Sequence, residues 1–264
     1  MPAAFYLPDG PDRFLATELT RGPWDPRAQH AGPPAALLGR AVERLGDRVD
    51  LQVARVTFEI ARPVPIGVLQ VAARRLREGR RADLVEATLT VEGVEVMRAT
   101  ALRIRGAELP LPPGPGLGEA ARLEGPDQGR PAPFFPTGQQ VGYHTAMEWR
   151  FVAGSFLEPG PATAWLRMRQ PLLPGEAPSP LVRVLAAADS GNGVSAALDW
   201  RRWVFVNADL TVYLVRPPVG EWIALEAATT VADGVGLATS VLHDQQGPVG
   251  RALQALFVDR RREP

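Results

Sequence analysis

The chain has 264 residues, with 29 arginines and no lysine set against 29 acidic side chains, so no net charge is present to recruit nucleic acid or an anionic membrane. The missing lysine excludes a Schiff-base or P-loop mechanism, and the missing cysteine excludes disulfides, thiolate metal sites and a thiol nucleophile. Cysteine-free composition points to the cytoplasm, and no apolar run approaches the roughly 18 residues of a membrane span.

In chain order, the first regular segment is PPAALLGRAVERLG from Pro33, an apolar-periodic run with proline in its first turn, which predicts a helix near 33–46. Strand-like segments follow: VTFEIARPVP, in which Val56, Phe58 and Ile60 alternate with Arg55, Thr57 and Glu59, then GVLQVAARRL, then LVEATLTVEGVEVMRATALRIR with a turn at Glu92-Gly93. Residues 106–136 hold 14 Pro or Gly in 31 positions, and this composition predicts a surface linker between an N-terminal unit, 1–105, and a C-terminal unit, 137–264. The second unit repeats the order: a helix near 179–190 in SPLVRVLAAAD, then LTVYLVRPPV, EWIALEAATT and GLATSVLHDQQGPVGRALQALFV, with a turn expected at Gln246-Gly247. Arg62-Pro63 and Arg216-Pro217 are separated by 154 residues, as are Gly93 and Gly247. The expected class is therefore α+β, one helix and an antiparallel sheet in each half, with a ligand between the halves.

The string WDPRAQHAGPPAALLGRAVE, from Trp24, resembles the helix-entry motif of the thioesterase-like double-hotdog superfamily. The second half is similar over PLLPGEAPSPLVRVLAAADSGNG, FVNADLTVYLVRPPVGEWIAL and DQQGPVGRALQALFVDRR. The resemblance implies a tandem (double) hotdog like that of type II acyl-CoA thioesterases, with acyl-CoA as substrate, no cofactor or metal, and a homodimer of double hotdogs as a candidate assembly. In that family an Asp, a Thr or Ser, and a Gln of the second hotdog hold the hydrolytic water. These positions fall on Asp189, Asn207 and Gln254, and Asn207 departs from the family's usual hydroxyl.

The residues themselves admit this chemistry. On a helical wheel Asp189 shares the apolar arc of Leu181, Val182 and Leu185, where it can serve as a base or simply close the helix before Gly191. Gln254 shares a strand face with Ala252, Leu256 and Val258, either as part of a site or as a core amide satisfied by backbone. Asn207 lies in a strand-like run where an ordinary turn role is equally open. Glu43, the first-half counterpart of Asp189, falls outside its own apolar arc as a solvated partner for Arg40. His30 and Gly32 are candidate pocket residues at the first helix entry. His30, His144 and His243 lack metal-ligand spacing, and no G-x-S-x-G elbow occurs. Trp24, Trp165 and Trp222 are expected to pack in the core, and the arginine pairs at 74–75 and 80–81 to lie on a solvated hairpin, with contacts to CoA phosphates as the alternative. A hydratase of enoyl-CoA generally needs an Asp and a His together, and no histidine neighbours Asp189 in the chain. That reading and a non-catalytic acyl-CoA or lipid-binding protein stand as alternatives to a thioesterase.

Overall fold

The computed structural model describes residues 3–46, 48–107, 109 and 123–261. Its elements are β1 (Tyr6–Pro8), β2 (Arg13–Ala16), α1 (Gly32–Arg44), β3 (Leu51–Ile60), β4 (Val68–Arg77), β5 (Ala82–Val91) and β6 (Val94–Arg105), followed by α2 (Tyr143–Ala146), β7 (Met147–Ser155), β8 (Glu158–Met168), α3 (Pro180–Ala188), α4 (Gly191–Val194), β9 (Trp203–Asn207), β10 (Asp209–Leu214), β11 (Ile223–Ala232), β12 (Val235–Asp244) and β13 (Gly247–Arg260).

The two halves share one antiparallel sheet ordered β1-β2-β4-β5-β6-β3-β10-β13-β12-β11-β8-β7, with β9 also pairing β13. The seam is β3 against β10, where Thr57 stands opposite Thr211 and their hydroxyls meet at 3.2 Å. These two residues are 154 positions apart, the repeat interval itself, so the pseudo-twofold axis of the duplication passes between them. Each half keeps its helix against its own strands, and the two sheets continue into one another at the seam.

Both long helices begin where proline costs nothing, since the first N–H groups of a helix have no internal acceptor. Ser179 caps α3 by accepting from the Val182 N–H at 3.1 Å. At the other end of α1, buried Arg103 of β6 donates to the carbonyls of Val42 and Leu45, both at 3.1 Å, while forming an ion pair with Asp83. The helices pack on each other at Gly39, where an added Cβ would run into the Leu185 side chain. Leu37, Leu38, Val184 and Leu185 belong to the buried core between the helices and the sheet.

Glu92-Gly93 forms the expected two-residue turn, both residues at positive φ, and Asp233-Gly234 forms an unexpected second one between β11 and β12. The turn expected at Gln246-Gly247 falls one residue earlier, at Gln245-Gln246, because Gly247 already pairs with Asp244.

Within the expected linker, 108 and 110–122 lie outside the described residues. Residues 123–136 run over the surface of the second half, mostly exposed or half-buried, and are pinned to it. Arg130 exchanges two 2.8 Å backbone hydrogen bonds with Phe151, Trp165 Nε1 donates to the Glu124 carbonyl, and Phe135 is buried. Proline limits regular structure here to one 3-10 turn, Pro126–Gln128, without preventing the burial of Phe135 between prolines.

Candidate active site

A cavity of 440 Å³ opens between the halves. The first half contributes Trp24, His30, Ala31 and Arg62; the Pro-rich segment adds Phe134 and Phe135; the second half supplies Tyr143, Asp189, Asn192 and Asn207. Exposure grades along it, with Ala61, Arg62, Pro63 and Phe257 exposed at the mouth and Phe135, Tyr143, Phe156 and Asp189 buried inside.

Asp189 sits at the C-terminal end of α3, and its side chain is only 3% exposed. Asn207 Nδ2 donates to Oδ1 at 2.6 Å, and Gln254 Nε2 donates to Oδ1 at 3.2 Å and to the Asp189 carbonyl at 3.0 Å. On the other side, Oδ2 lies 3.0 Å from His30 Nδ1. A carboxylate has about four lone-pair sites. Three are engaged, which leaves one on Oδ2 for a water.

Gln254 is buried and does not line the cavity. Its Oε1 accepts from the Asn192 N–H at 3.1 Å while both amide hydrogens go to Asp189. It therefore fixes the carboxylate and the start of α4 rather than reaching a water directly. Asn207 does line the cavity; its Nδ2 serves Asp189 and its Oδ1 has no protein donor among the described residues.

Gly32 also stands behind the wall. A Cβ there would collide with the Ala186 carbonyl, so this glycine permits α1 to approach α3, and its N–H faces His30 Nδ1 at 3.1 Å. His30 stacks on Tyr143, the centroids 3.8 Å apart and the planes within 10°. The Tyr143 hydroxyl donates to the Ala186 carbonyl at 2.6 Å and lies 2.9 Å from Ser190 Oγ; burial raises its pKa far above the usual phenol value and keeps it neutral.

Three residues depart from their expected places. Arg40 pairs with Glu176 at 2.7 Å, whereas Glu43 accepts from Ser179 Oγ at 2.6 Å. Trp24 lines the cavity instead of lying wholly in the core, while Trp165 is buried and Trp222 lies under Arg167. Tyr143, Phe134 and Phe135 carried no motif; their only signal was aromatic side chains beside Pro/Gly-rich sequence. His144 and His243 stay outside the Asp189 cluster, His144 against Phe134 and His243 against Glu226, and burial lowers the pKa of both. No helix among the described residues is long and apolar enough to cross a membrane.

A duplicated helix-and-sheet unit with its site at the junction defines a double-hotdog protein, and solved structures agree. A candidate thioesterase II of Thermobifida fusca YX superposes with a TM-score of 0.74 at 20% identity, covering 98% of this chain and 96% of that one. An acyl-CoA thioesterase II, TesB2, of Mycobacterium marinum gives 0.65 at 15% identity, covering 95% and 94%. No curated protein matches the chain. The profile of the acyl-CoA thioesterase N-terminal domain matches residues 20–104 and that of the C-terminal domain matches 126–258. The chain belongs to the acyl-CoA thioesterase family.

Proposed function

We propose that the protein hydrolyses an acyl-CoA thioester to the free acid and CoA, with Asp189 as general base. The observation that carries this is the buried Asp189 carboxylate at the cavity wall, with three of its lone pairs fixed and one left open. A water on that lone pair gives its proton to Asp189 as its oxygen attacks the thioester carbon. Collapse of the tetrahedral intermediate breaks the C–S bond, and the proton passes from Asp189 to the leaving thiolate. The free Asn207 Oδ1 supports the reading by offering a second acceptor to orient the water.

The oxyanion needs a donor. At the start of α1, Pro33 and Pro34 have no N–H and the Gly32 N–H is directed to His30. The Ala31 N–H has no acceptor among the described residues and belongs to the same wall, as does the Gly193 N–H of α4, so these two backbone groups are the candidate donors.

The His30–Asp189 contact favours a second reading, hydration of an enoyl-CoA, because it supplies the Asp and His together that the sequence lacks locally. A panel of saturated and 2-enoyl-CoAs separates the two. Release of free thiol supports hydrolysis; loss of the enoyl absorbance without thiol release supports hydration and overturns it; binding without either change identifies a carrier.

A further inference from the structure

We infer that Arg62 binds a phosphate of the substrate's thiol carrier, an assignment that rests on the acyl-CoA reading and deepens it. The argument begins with the broken symmetry of the repeat. Arg62 and Arg216 are equivalent, since the preceding residues Ala61 and Val215 donate their N–H groups to Val96 and Val249, the matching positions of β6 and β13. In the second half, Arg216 is neutralised by Asp244, with Nη1 and Nη2 at 2.5 and 2.7 Å from its two carboxylate oxygens, and Nη2 also reaches the Gly247 carbonyl. Asp244 in turn accepts from the Val219 and Gln246 N–H groups, so that arginine is built into the turn.

In the first half the carboxylate is gone. The corresponding end of β5 carries Thr90 and Val91, and the Arg62 guanidinium has no hydrogen-bond or ion partner among the described residues. Arg62 is exposed at the cavity mouth and is the only arginine in its lining among the described residues, in a chain without lysine. Ile60, two residues before it, bonds to the Ala208 carbonyl, next to Asn207 and hence to the reacting end. The guanidinium therefore stands beyond the thioester along the path a pantetheine arm must follow out of the cavity. A planar, permanently charged fork at that place suits a phosphate oxygen pair. Of the arginine pairs that stand out in the sequence, Arg74 pairs with Glu86 and Arg75 with Glu78, and none of Arg74, Arg75, Arg80 and Arg81 lines the cavity.

The test compares Arg62→Gln with the wild type on one acyl group carried by CoA, by 4′-phosphopantetheine and by N-acetylcysteamine, which has no phosphate. The expected result is a KM raised about tenfold for the CoA ester, the scale of a hydrogen bond to a charged group, with kcat and the N-acetylcysteamine reaction unchanged. A matching rise with the phosphopantetheine ester places Arg62 on the phosphate nearest the arm; no rise there places it on the nucleotide phosphates. Arg77→Gln, an exposed arginine of β4 outside the lining, is the control. Equal loss on all three carriers, or no change on any, overturns the assignment. Calorimetry with free CoA keeps the inference testable apart from turnover: if the wild type hydrolyses no thioester the function is wrong, yet tenfold weaker CoA binding by Arg62→Gln still upholds the phosphate contact, and unchanged binding overturns it.

Discussion

Nδ1 of His30 and Oδ2 of Asp189 stand 3.0 Å apart, two atoms from opposite halves of the chain. Both are acceptors when bare, so the contact holds only with a proton on one of them. For Asp189 to act as a base that proton must sit on Nδ1, which then donates to Oδ2 and cannot also accept from the Gly32 N–H 3.1 Å away; the orientation of the carboxylate thus depends on the helix entry of the first half.

His30→Ala is therefore expected to act through Asp189. Turnover should fall about tenfold, and a double-mutant cycle with Asp189→Asn should show a coupling of about 1–2 kcal/mol rather than additivity. Additive losses in kcat would mean that His30 only fills space beneath Tyr143.

Asp189→Asn should lower kcat by about 10² or more, the range of general-base contributions, while acyl-CoA binding is kept. Glu43→Gln is the paired control, because Glu43 lies on the first-half helix and only accepts from Ser179. Thiol release that survives in Asp189→Asn and vanishes in Glu43→Gln would move the active site to the other half.

Gln254→Ala removes both amide bonds to Asp189 and leaves the Asn192 N–H without an acceptor. It should cost about 1–3 kcal/mol of stability and reduce kcat less than Asp189→Asn, with little change in KM. Asn207→Thr restores the family's usual hydroxyl and should retain or raise kcat. A kcat collapse in Asn207→Thr comparable to that of Asp189→Asn would show that the amide oxygen is needed.

The Asp83–Arg103 pair sets an acid limit on the fold. The hydrogen bonds from Arg103 hold the Asp83 carboxyl below its ordinary value. A depressed folded-state pKa gives stability that is fully present above the unfolded value of about 3.9 and is lost as pH falls through the folded one. Arg103→Met leaves Asp83 buried with only the longer 3.5 Å contact to Arg75, so it should destabilise by about 3–5 kcal/mol at pH 7 and lift the acid-unfolding midpoint. Urea titrations at neutral and acid pH would refute this if both proteins lost stability over the same pH window.

Much of this architecture can be read locally. The alternation around Val56–Ile60, the prolines that open α1 and α3 and the 154-residue interval are short-range or periodic signals, and each has its counterpart in the structure. The β7–β8 hairpin is not legible because the first residues of β8 after Glu158 are Pro159, Gly160 and Pro161, which read as a break, yet its later residues Ala162–Leu166 pair with β11. The site is half legible for a related reason. Asp189, Asn207 and Gln254 are in contact, with Gln254 behind the wall rather than at the water position the resemblance gives it, but the arrival of His30 depends on two helices crossing at glycines, and the open position on the carboxylate appears only when each donor is counted. No local pattern encodes such long-range meetings.

The Thr57–Thr211 seam also bears on how the chain reaches this state. Because β3 and β10 are each other's neighbours in mid-sheet, either half alone would present a bare strand edge and a helix face lacking its companion. The halves should consequently unfold in one cooperative step. Expressed as two separate polypeptides, each should be aggregation-prone by itself and become soluble on mixing, as the fragments complement one another across that seam.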